Sequence, residues 1–154
     1  MVHNSKMSDF ISTDNIIVGM NAVSREDAIK QLSNILQKNG VVNDAATFNK
    51  DVLAREKQST TGIGNNIAIP HGKSASVNIP SFIFAKNNYL LEWDSLDGSQ
   101  VDVIFLMAIQ EKDERNEHLE MLANISSRLM DDQFVENIKK ENDPQKLLKI
   151  FTEN

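Results

Sequence analysis

Cysteine is absent from this chain of 154 residues. That absence excludes disulfide bonds, thiolate nucleophiles and cysteine-ligated metal centres, and it favours a cytoplasmic location. No apolar run approaches the length that spans a bilayer, so direct membrane insertion is not expected. The opening residues, "MVHNSKMSDF", lack the apolar core of a signal peptide. We therefore expect residues 1–11 to be a disordered or leader segment.

Positive charge is scarce: 16 Lys and Arg stand against 22 Asp and Glu, for a net charge of −6. A nucleic-acid-binding domain needs a basic face, so no nucleic-acid partner is predicted. The acids are also unevenly placed, because residues 57–91 contain none. Two interpretations stay open. Buried strands and turns simply carry few charges, or a surface is kept free of carboxylates because it binds an anion.

Hydrophobic periodicity predicts one α/β or α+β domain over residues 12–154, with a mixed sheet between helices. The expected order is a strand, two helices, several strands and three helices. The run "VDVIFLMAI" is typical of a central strand that is buried on both faces. The predicted elements are a strand at 16–18, a helix capped by Ser24 and stopped by Gly40, a helix capped by Asp44 and ending near Arg55-Glu56, strands at 67–69, 81–86, 89–93 and 101–109, and helices at 114–130, after Asp132 and after Asp143-Pro144.

The stretch "TTGIGNNIAIPHGK", residues 60–73, contains the main candidate for chemistry, His71. Pro70 has no N–H, which predicts that a strand ends there. Gly72 allows a tight turn and leaves room beside the ring. A neutral imidazole held at such a strand tip would be a good nucleophile near pH 7. The competing interpretation is a turn histidine whose hydrogen bonds are satisfied locally.

Two other side chains extend this candidate site. Arg55 ends a helix just before the glycine-containing loop, and its guanidinium matches phosphate oxygens. Alternatively, it is an ordinary cation at a helix C-terminus. His118 lies in the first turn of its helix, on the apolar stripe, and is expected near a sheet edge where it could meet His71. The alternative for His118 is a core histidine.

Other common chemistries lack their motifs. Zinc would need a third protein ligand beside the two histidines, from Glu114, Glu117 or Glu120, and no H-E-x-x-H is present. The glycines match neither a Walker loop nor a dinucleotide fingerprint, and there is no G-x-S-x-G. We therefore expect no metal and no cofactor.

Three segments resemble the fructose/mannitol-type (type-2) IIA domain of the bacterial phosphotransferase system (PTS EIIA). They are "LAREKQSTTGIGNNIAIPHGKS", "SLDGSQVDVIFLMAI" and "HLEMLANISSRLMDDQF". The Arg-Glu pair, the Gly-x-Gly-x-x-x-Ala-x-Pro-His-Gly run and the later His-Leu-x-x-Leu keep the family's order and spacing. The likeness covers about residues 12–151 and implies a three-layer sandwich, with a mixed five-stranded sheet and helices on both faces.

The resemblance also implies a phosphotransferase activity without a metal. His71 would accept a phosphoryl group from the phosphohistidine of the carrier protein HPr and pass it to a IIB domain. Arg55 would bind the phosphoryl oxygens, and His118 would hydrogen-bond the phosphoryl group or the accepting ring. Thr61, in the loop that lines the site, would be a third phosphoryl-binding residue. The docking surface around His71 is expected to be apolar with a polar rim, and Ile63, Ile67 and Ile69 are each candidates either for that rim or for the core.

Two functions remain open under this resemblance. One is a carrier for uptake of fructose or a related sugar, with a fructose-type IIB domain and a membrane IIC partner. The segment "EWDSLDGSQVDVIFLMAI" looks more like the fructose-type members. The other is a nitrogen-type regulator that acts through phosphorylation-dependent partner binding. A metal-binding domain is a third, weaker interpretation.

Overall fold

The computed structural model describes residues 6–153. Six strands and five α-helices form within this range, after two short 3₁₀ turns at Met7–Asp9 and Thr13–Asn15. In chain order they are β1 (Ile16–Met20), α1 (Arg25–Lys38), α2 (Ala45–Gln58), β2 (Gly62–Gly64), β3 (Ile67–Ala68), β4 (His71–Ser74), β5 (Ser81–Leu91), β6 (Val101–Gln110), α3 (Glu117–Leu129), α4 (Asp132–Lys140) and α5 (Pro144–Thr152).

The strands form one mixed sheet in the order β1-β5-β6-β3-β2. β5 runs antiparallel to β6, whereas β1 is parallel to β5 and β3 is parallel to β6. β4 also pairs with β6 in parallel, in line with β3: Ile67 lies opposite Val103 and His71 opposite Met107. The six strands therefore occupy five positions, which confirms the expected five-stranded mixed sheet.

Helices cover both faces of the sheet, and this explains why the sequence of the central strand β6 is almost wholly apolar. Ile104, Leu106 and Ala108 pack in one core with side chains of α1 and α2. The alternate residues of β6, including Phe105 and Met107, pack in a second core with α3, α4 and α5. Because successive side chains of a strand point to opposite faces, a strand between two helical layers must be apolar throughout. The three-layer α/β sandwich is confirmed.

Helix starts follow the predicted caps closely. The side chains of Ser24, Asp44 and Asp143 each accept a backbone N–H in the first turn of α1, α2 and α5. α4 is capped by Asp131, one residue earlier than the predicted Asp132. Both Asp131 and Asp132 are residues that can cap a helix, and the cap is Asp131, whose backbone is extended.

Several elements differ from the prediction. The helix expected at 114–130 begins at Glu117, and the short strands β2 and β4 were not predicted. α2 continues to Gln58 instead of ending near Arg55-Glu56. The two strands expected at 81–86 and 89–93 form one strand, β5, over Ser81–Leu91. β5 pairs on one side with β1 and on the other with β6. These long-range pairings keep the strand continuous through Asn87 and Asn88, although asparagine has a low strand propensity.

The N-terminal segment is partly packed on the domain. Residues 1–5 lie outside the described part of the chain. Met7 and Phe10 are buried in the core beneath α3–α5, and the Phe10 carbonyl accepts the backbone N–H of Phe82 at 2.9 Å. Residues 6–11 thus differ from the disordered state considered for 1–11. Between residues 6 and 153, no helix combines the length and apolar content needed to cross a membrane.

Gly72 sets how closely α2 approaches the sheet. A Cβ built on Gly72 would lie 2.6 Å from Val52 Cγ2 and 3.0 Å from Phe48 Cε1, both on α2. The prediction of a tight turn at Gly72 is wrong: the residue lies inside β4, and its missing side chain makes room for a helix.

We expect Gly72→Ala to lower the free energy of unfolding by about 1–3 kcal/mol, because the added methyl overlaps Val52 in a packed layer. Urea denaturation measures this change. Combining it with Val52→Ala should cost less than the sum of the two single changes, since the second removes the overlapping atoms. Strictly additive costs would show that the contact with Val52 is not the cause.

Candidate active site

His71 is the first residue of β4, and β4 pairs only with β6 among the described strands, so it lies at an open sheet edge. The prediction that the ring stands at the tip of a finished strand is corrected here. The strand breaks at Ile69-Pro70 and resumes at His71. Pro70 cannot donate to the ladder, but its carbonyl accepts the N–H of Met107 at 2.9 Å, which keeps the register.

Helices on opposite faces of the sheet deliver the two other predicted residues to this edge. Arg55 comes from the last turn of α2, and His118 comes from the first turn of α3. Arg55 Nε lies 3.1 Å from His71 Nε2. The ring centroids of His71 and His118 are 4.8 Å apart at an interplanar angle of 47°. The tertiary structure therefore brings together the three residues that the sequence singled out.

The hydrogen bonds of His71 assign its tautomer. Arg55 Nε always carries a proton, so it donates to His71 Nε2, which must hold the lone pair. The other ring nitrogen, Nδ1, lies 3.4 Å from the carbonyl oxygen of Ile69 and so carries the proton towards it. The ring is thus oriented at both nitrogens, and Nε2 is the atom that holds the lone pair.

His118 presents a buried nitrogen that has no hydrogen-bond partner among the described residues, its Nε2. Buried polar atoms are normally paired, so an unpaired one beside a second imidazole marks a place for an incoming polar group. The first turn of α3 is held by Asp113, whose carboxylate accepts the backbone N–H of Glu117 at 2.7 Å and that of His118 at 3.1 Å. The ring is therefore mounted on a fixed helix start.

Both imidazoles are held neutral. Burial lowers the pKa of His71 to about 4; the Ile69 carbonyl acts in the opposite direction, and His118 and Arg55 add to the lowering. Burial also lowers the pKa of His118, opposed by Asp113 and assisted by the positive charges of Lys73 and Arg55. A proton therefore does not compete for the lone pair of His71 Nε2 at neutral pH.

The charges around the site favour an anion. The positive charges of Arg55 and Lys73 both act on the His118 ring, and the acid-free stretch 57–91 supplies β2, β3 and β4. Asp113 is the one acid that acts on the pKa of His118, and it is bonded to two backbone N–H groups at the start of α3. Of the two interpretations of the acid-free stretch, this arrangement supports the anion-binding one.

Thr61 lies behind the site, not in its open part. It is 4% exposed, and its hydroxyl donates to the carboxylate of Glu56. Its backbone carbonyl accepts the N–H of Ile69 at 3.0 Å. The sequence analysis missed Glu56 as a candidate, although the adjacent Arg55-Glu56 pair was visible.

The structure bears on two further points of the sequence analysis, the metal-binding interpretation and the isoleucines considered for a docking rim. Within residues 6–153, no group of three His, Cys, Asp or Glu side chains is arranged to hold a metal ion. Of the three isoleucines considered for a docking rim, Ile67 is buried in the core, Ile69 is half-buried and Ile63 is exposed.

A family model described as "Phosphoenolpyruvate-dependent sugar phosphotransferase system, EIIA 2" matches residues 9–154. The chain belongs to this family. Its membership agrees with the sequence resemblance.

Two relatives show how the EIIA 2 chain compares in sequence. It is 35% identical over 125 residues to the PTS system fructose-specific EIIABC component of Bacillus subtilis (strain 168), covering 81% of this chain and 20% of that protein. The chain thus spans about a fifth of that relative's length. It is 29% identical over 124 residues to a nitrogen regulatory protein of Pseudomonas aeruginosa, covering 80% of each.

Two solved structures share the EIIA 2 fold. The nitrogen regulatory protein IIA-Ntr from Neisseria meningitidis superposes with a TM-score of 0.85 at 24% identity, covering 94% of this chain and 98% of that one. Escherichia coli enzyme IIA-mannitol, solved in complex with phosphorylated enzyme IIB-mannitol, gives a TM-score of 0.77 at 22% identity, with coverages of 92% and 96%.

The lowered pKa of His71 gives a direct prediction. In NMR titrations, its ring resonances should move with a midpoint of about 4 in the folded protein and near 6.5 in the urea-unfolded chain. Because the unfolded ring binds the proton more readily, the free energy of unfolding should fall as the pH drops from about 6.5 to about 4. A folded-state midpoint at 6.5 would contradict the neutral, partly desolvated ring.

Proposed function

We propose that this EIIA 2 chain is a phosphocarrier, and in that sense a phosphotransferase. His71 Nε2 takes a phosphoryl group from phospho-HPr and passes it to a IIB domain. One observation carries the proposal: the lone pair of a neutral His71 faces the guanidinium of Arg55, beside the unpaired Nε2 of His118.

The transfer needs no acid or base. The bond between phosphorus and the donor histidine nitrogen breaks, that nitrogen regains its electron pair, and a bond forms between phosphorus and His71 Nε2. No proton moves: His71 keeps the proton on Nδ1, where the carbonyl of Ile69 stabilises the positive charge that the ring gains. Transfer to IIB is the same step with His71 as the donor.

The surrounding groups stabilise a loose, dianionic transition state. Arg55 Nε–H, which caps the lone pair in the resting protein, turns to the phosphoryl oxygens as the group approaches, and this frees the lone pair of His71 Nε2 for attack. His118 Nε2, when it carries the proton of its neutral ring, donates to another of these oxygens. Preorganised donors of this kind, directed at the charge that develops in the transition state, are usually the largest single source of catalysis.

The proposed physiological role is uptake of fructose or a related sugar, by a cytoplasmic carrier that serves a fructose-type IIB domain with a membrane IIC partner. The fructose-specific relative supports the sugar class, and the solved IIA-mannitol complex with a phosphorylated IIB supports the class of partner. The exposed side chains of Leu119, next to His118, and of Ile63 suit a small apolar docking surface.

A second candidate is a nitrogen-type regulator whose phosphorylation state controls a partner. It is favoured by the Pseudomonas relative, which this chain matches over 80% of its length. Both candidates use His71 as acceptor, so they differ in what happens after phosphorylation.

The acceptor is tested by incubating the protein with enzyme I, HPr and phosphoenolpyruvate and measuring mass and acid-labile phosphate. His71→Ala should abolish the label. Arg55→Ala should slow single-turnover transfer by about 10²–10³-fold, since it removes a donor to the transferred group. Arg25→Ala, which removes an arginine of α1 paired with Glu26, is the matched control and should transfer normally. Label that persists on His71→Ala refutes the assignment.

The two roles are separated by mixing the phosphorylated protein with a purified fructose-type IIB domain. A sugar carrier should transfer its phosphoryl group to the IIB domain. A regulator should accept the phosphoryl group from HPr but should not transfer it to the IIB domain. A IIB domain whose acceptor residue is substituted provides the control for spontaneous hydrolysis.

A further inference from the structure

We infer that Glu56 is a positioning residue for phosphoryl transfer: its buried carboxylate fixes the loop at residues 59–61, and this loop orients both Arg55 and His71. The inference rests on the proposed function and deepens it. Glu56 touches neither the acceptor ring nor the place of the phosphoryl group, so it acts through its neighbours.

The surroundings of Glu56 are unusual for a carboxylate. The residue is 5% exposed and accepts hydrogen bonds from the Thr61 hydroxyl, the Thr61 backbone N–H at 3.4 Å and Trp93 Nε1 at 3.3 Å. All three partners are donors, which suits a group that only accepts when ionised. No Lys, Arg or His forms an ion pair with it within the described range. Burying a carboxylate without a cation is costly, so its contacts should serve a purpose.

One line of contacts leads from Glu56 to the acceptor ring. Glu56 holds Thr61 at both its hydroxyl and its N–H. The Thr61 carbonyl accepts the N–H of Ile69 at 3.0 Å, and the Ile69 carbonyl faces His71 Nδ1 at 3.4 Å. This last contact sets the tautomer that leaves the lone pair on Nε2. Loosening Thr61 would therefore loosen the orientation of the nucleophile.

A second line leads to the guanidinium. Arg55 Nη1 donates to the carbonyl of Ser59 at 2.9 Å, at the end of α2. The next residue, Thr60, donates from its hydroxyl to the carbonyl of Trp93 at 2.7 Å, while Trp93 donates its ring N–H to Glu56. Glu56 and Trp93 thus hold the loop from two sides, and the same loop restrains Arg55.

This arrangement competes with the role that the family resemblance implies for Thr61. If Thr61 lined the phosphoryl site, its hydroxyl would point to the group on His71. Instead the hydroxyl donates to Glu56 and lies 3.2 Å from Trp93 Nε1. The structure favours an indirect action of Thr61 through the loop.

The experiment is a double-mutant cycle with Glu56→Gln and Thr61→Val. Glu56→Gln places an amide NH₂ group, itself a donor, opposite the three donors that the carboxylate now accepts from. Thr61→Val replaces the hydroxyl with a methyl group of similar size. Each should lower the single-turnover rate constant from phospho-HPr by about tenfold or more, since small misplacements of reacting groups are costly. The HPr concentration at half-maximal rate should not change. The double variant should be no slower than the slower single variant, because both break one contact.

The control is Ser33→Ala, which removes a buried hydroxyl bonded to the Ile29 carbonyl at 2.7 Å, on α1. It should leave the transfer rate unchanged. Rate losses that multiply in the Glu56→Gln/Thr61→Val double variant would overturn the inference and assign Thr61 a direct contact. A normal rate in folded Glu56→Gln would also overturn it.

A second readout needs no HPr. In the unphosphorylated protein, the NMR midpoint of His71 should rise from about 4 towards 6.5 in both site variants and stay unchanged in Ser33→Ala, because a looser loop admits water to the ring. An unchanged midpoint in both site variants would refute the positioning role. If wild-type protein accepted no phosphate while the midpoint shifted as expected, the proposed function would fail and the structural link from Glu56 to His71 would stand.

Discussion

The hydrogen bond between Arg55 Nε and His71 Nε2 is the interaction on which the rest of the site depends. It joins a helix on one face of the sheet to a strand at the sheet's edge, and it requires that the acceptor nitrogen be unprotonated. Burial meets this requirement by lowering the pKa of His71, and the Ile69 carbonyl completes it by holding the proton on the other nitrogen. Under the proposed function, the resting protein thus keeps its nucleophile in place without a general base.

The fold makes this bond possible through close packing on one side and an open edge on the other. Gly72 lets α2 approach β4 so nearly that Arg55 can reach around the edge to the ring on the opposite face. β4 has no strand on its outer side among the described residues, which leaves room for a docking protein. α3 then supplies His118 from the second helical layer. The two hydrophobic cores therefore fix the site by fixing the layers that carry it.

The absence of Asp and Glu from residues 57–91 can be related to the charges around the candidate site. β4, which carries His71, and the preceding strands β2 and β3 come from residues 57–91. Three carboxylates outside or beside this stretch accept hydrogen bonds: Asp113 at the start of α3, Asp97 from the backbone N–H of Asn65, and Glu56 from Thr61. Under the proposed function, a dianionic group at His71 would therefore meet positive charge and N–H donors, although the whole chain carries a net negative charge.

The sequence by itself determined the elements with strong local signals: the helix caps at Ser24, Asp44 and Asp143, the doubly buried β6 and the three residues of the candidate site. Local sequence suffices there because capping and burial patterns depend on neighbours in the chain. Only the tertiary structure decided that His71 opens a strand, that Gly72 admits a helix and that Thr61 bonds Glu56. These features depend on contacts between segments far apart in the chain or across a loop, and no spacing of residues encodes the distance at which two layers pack.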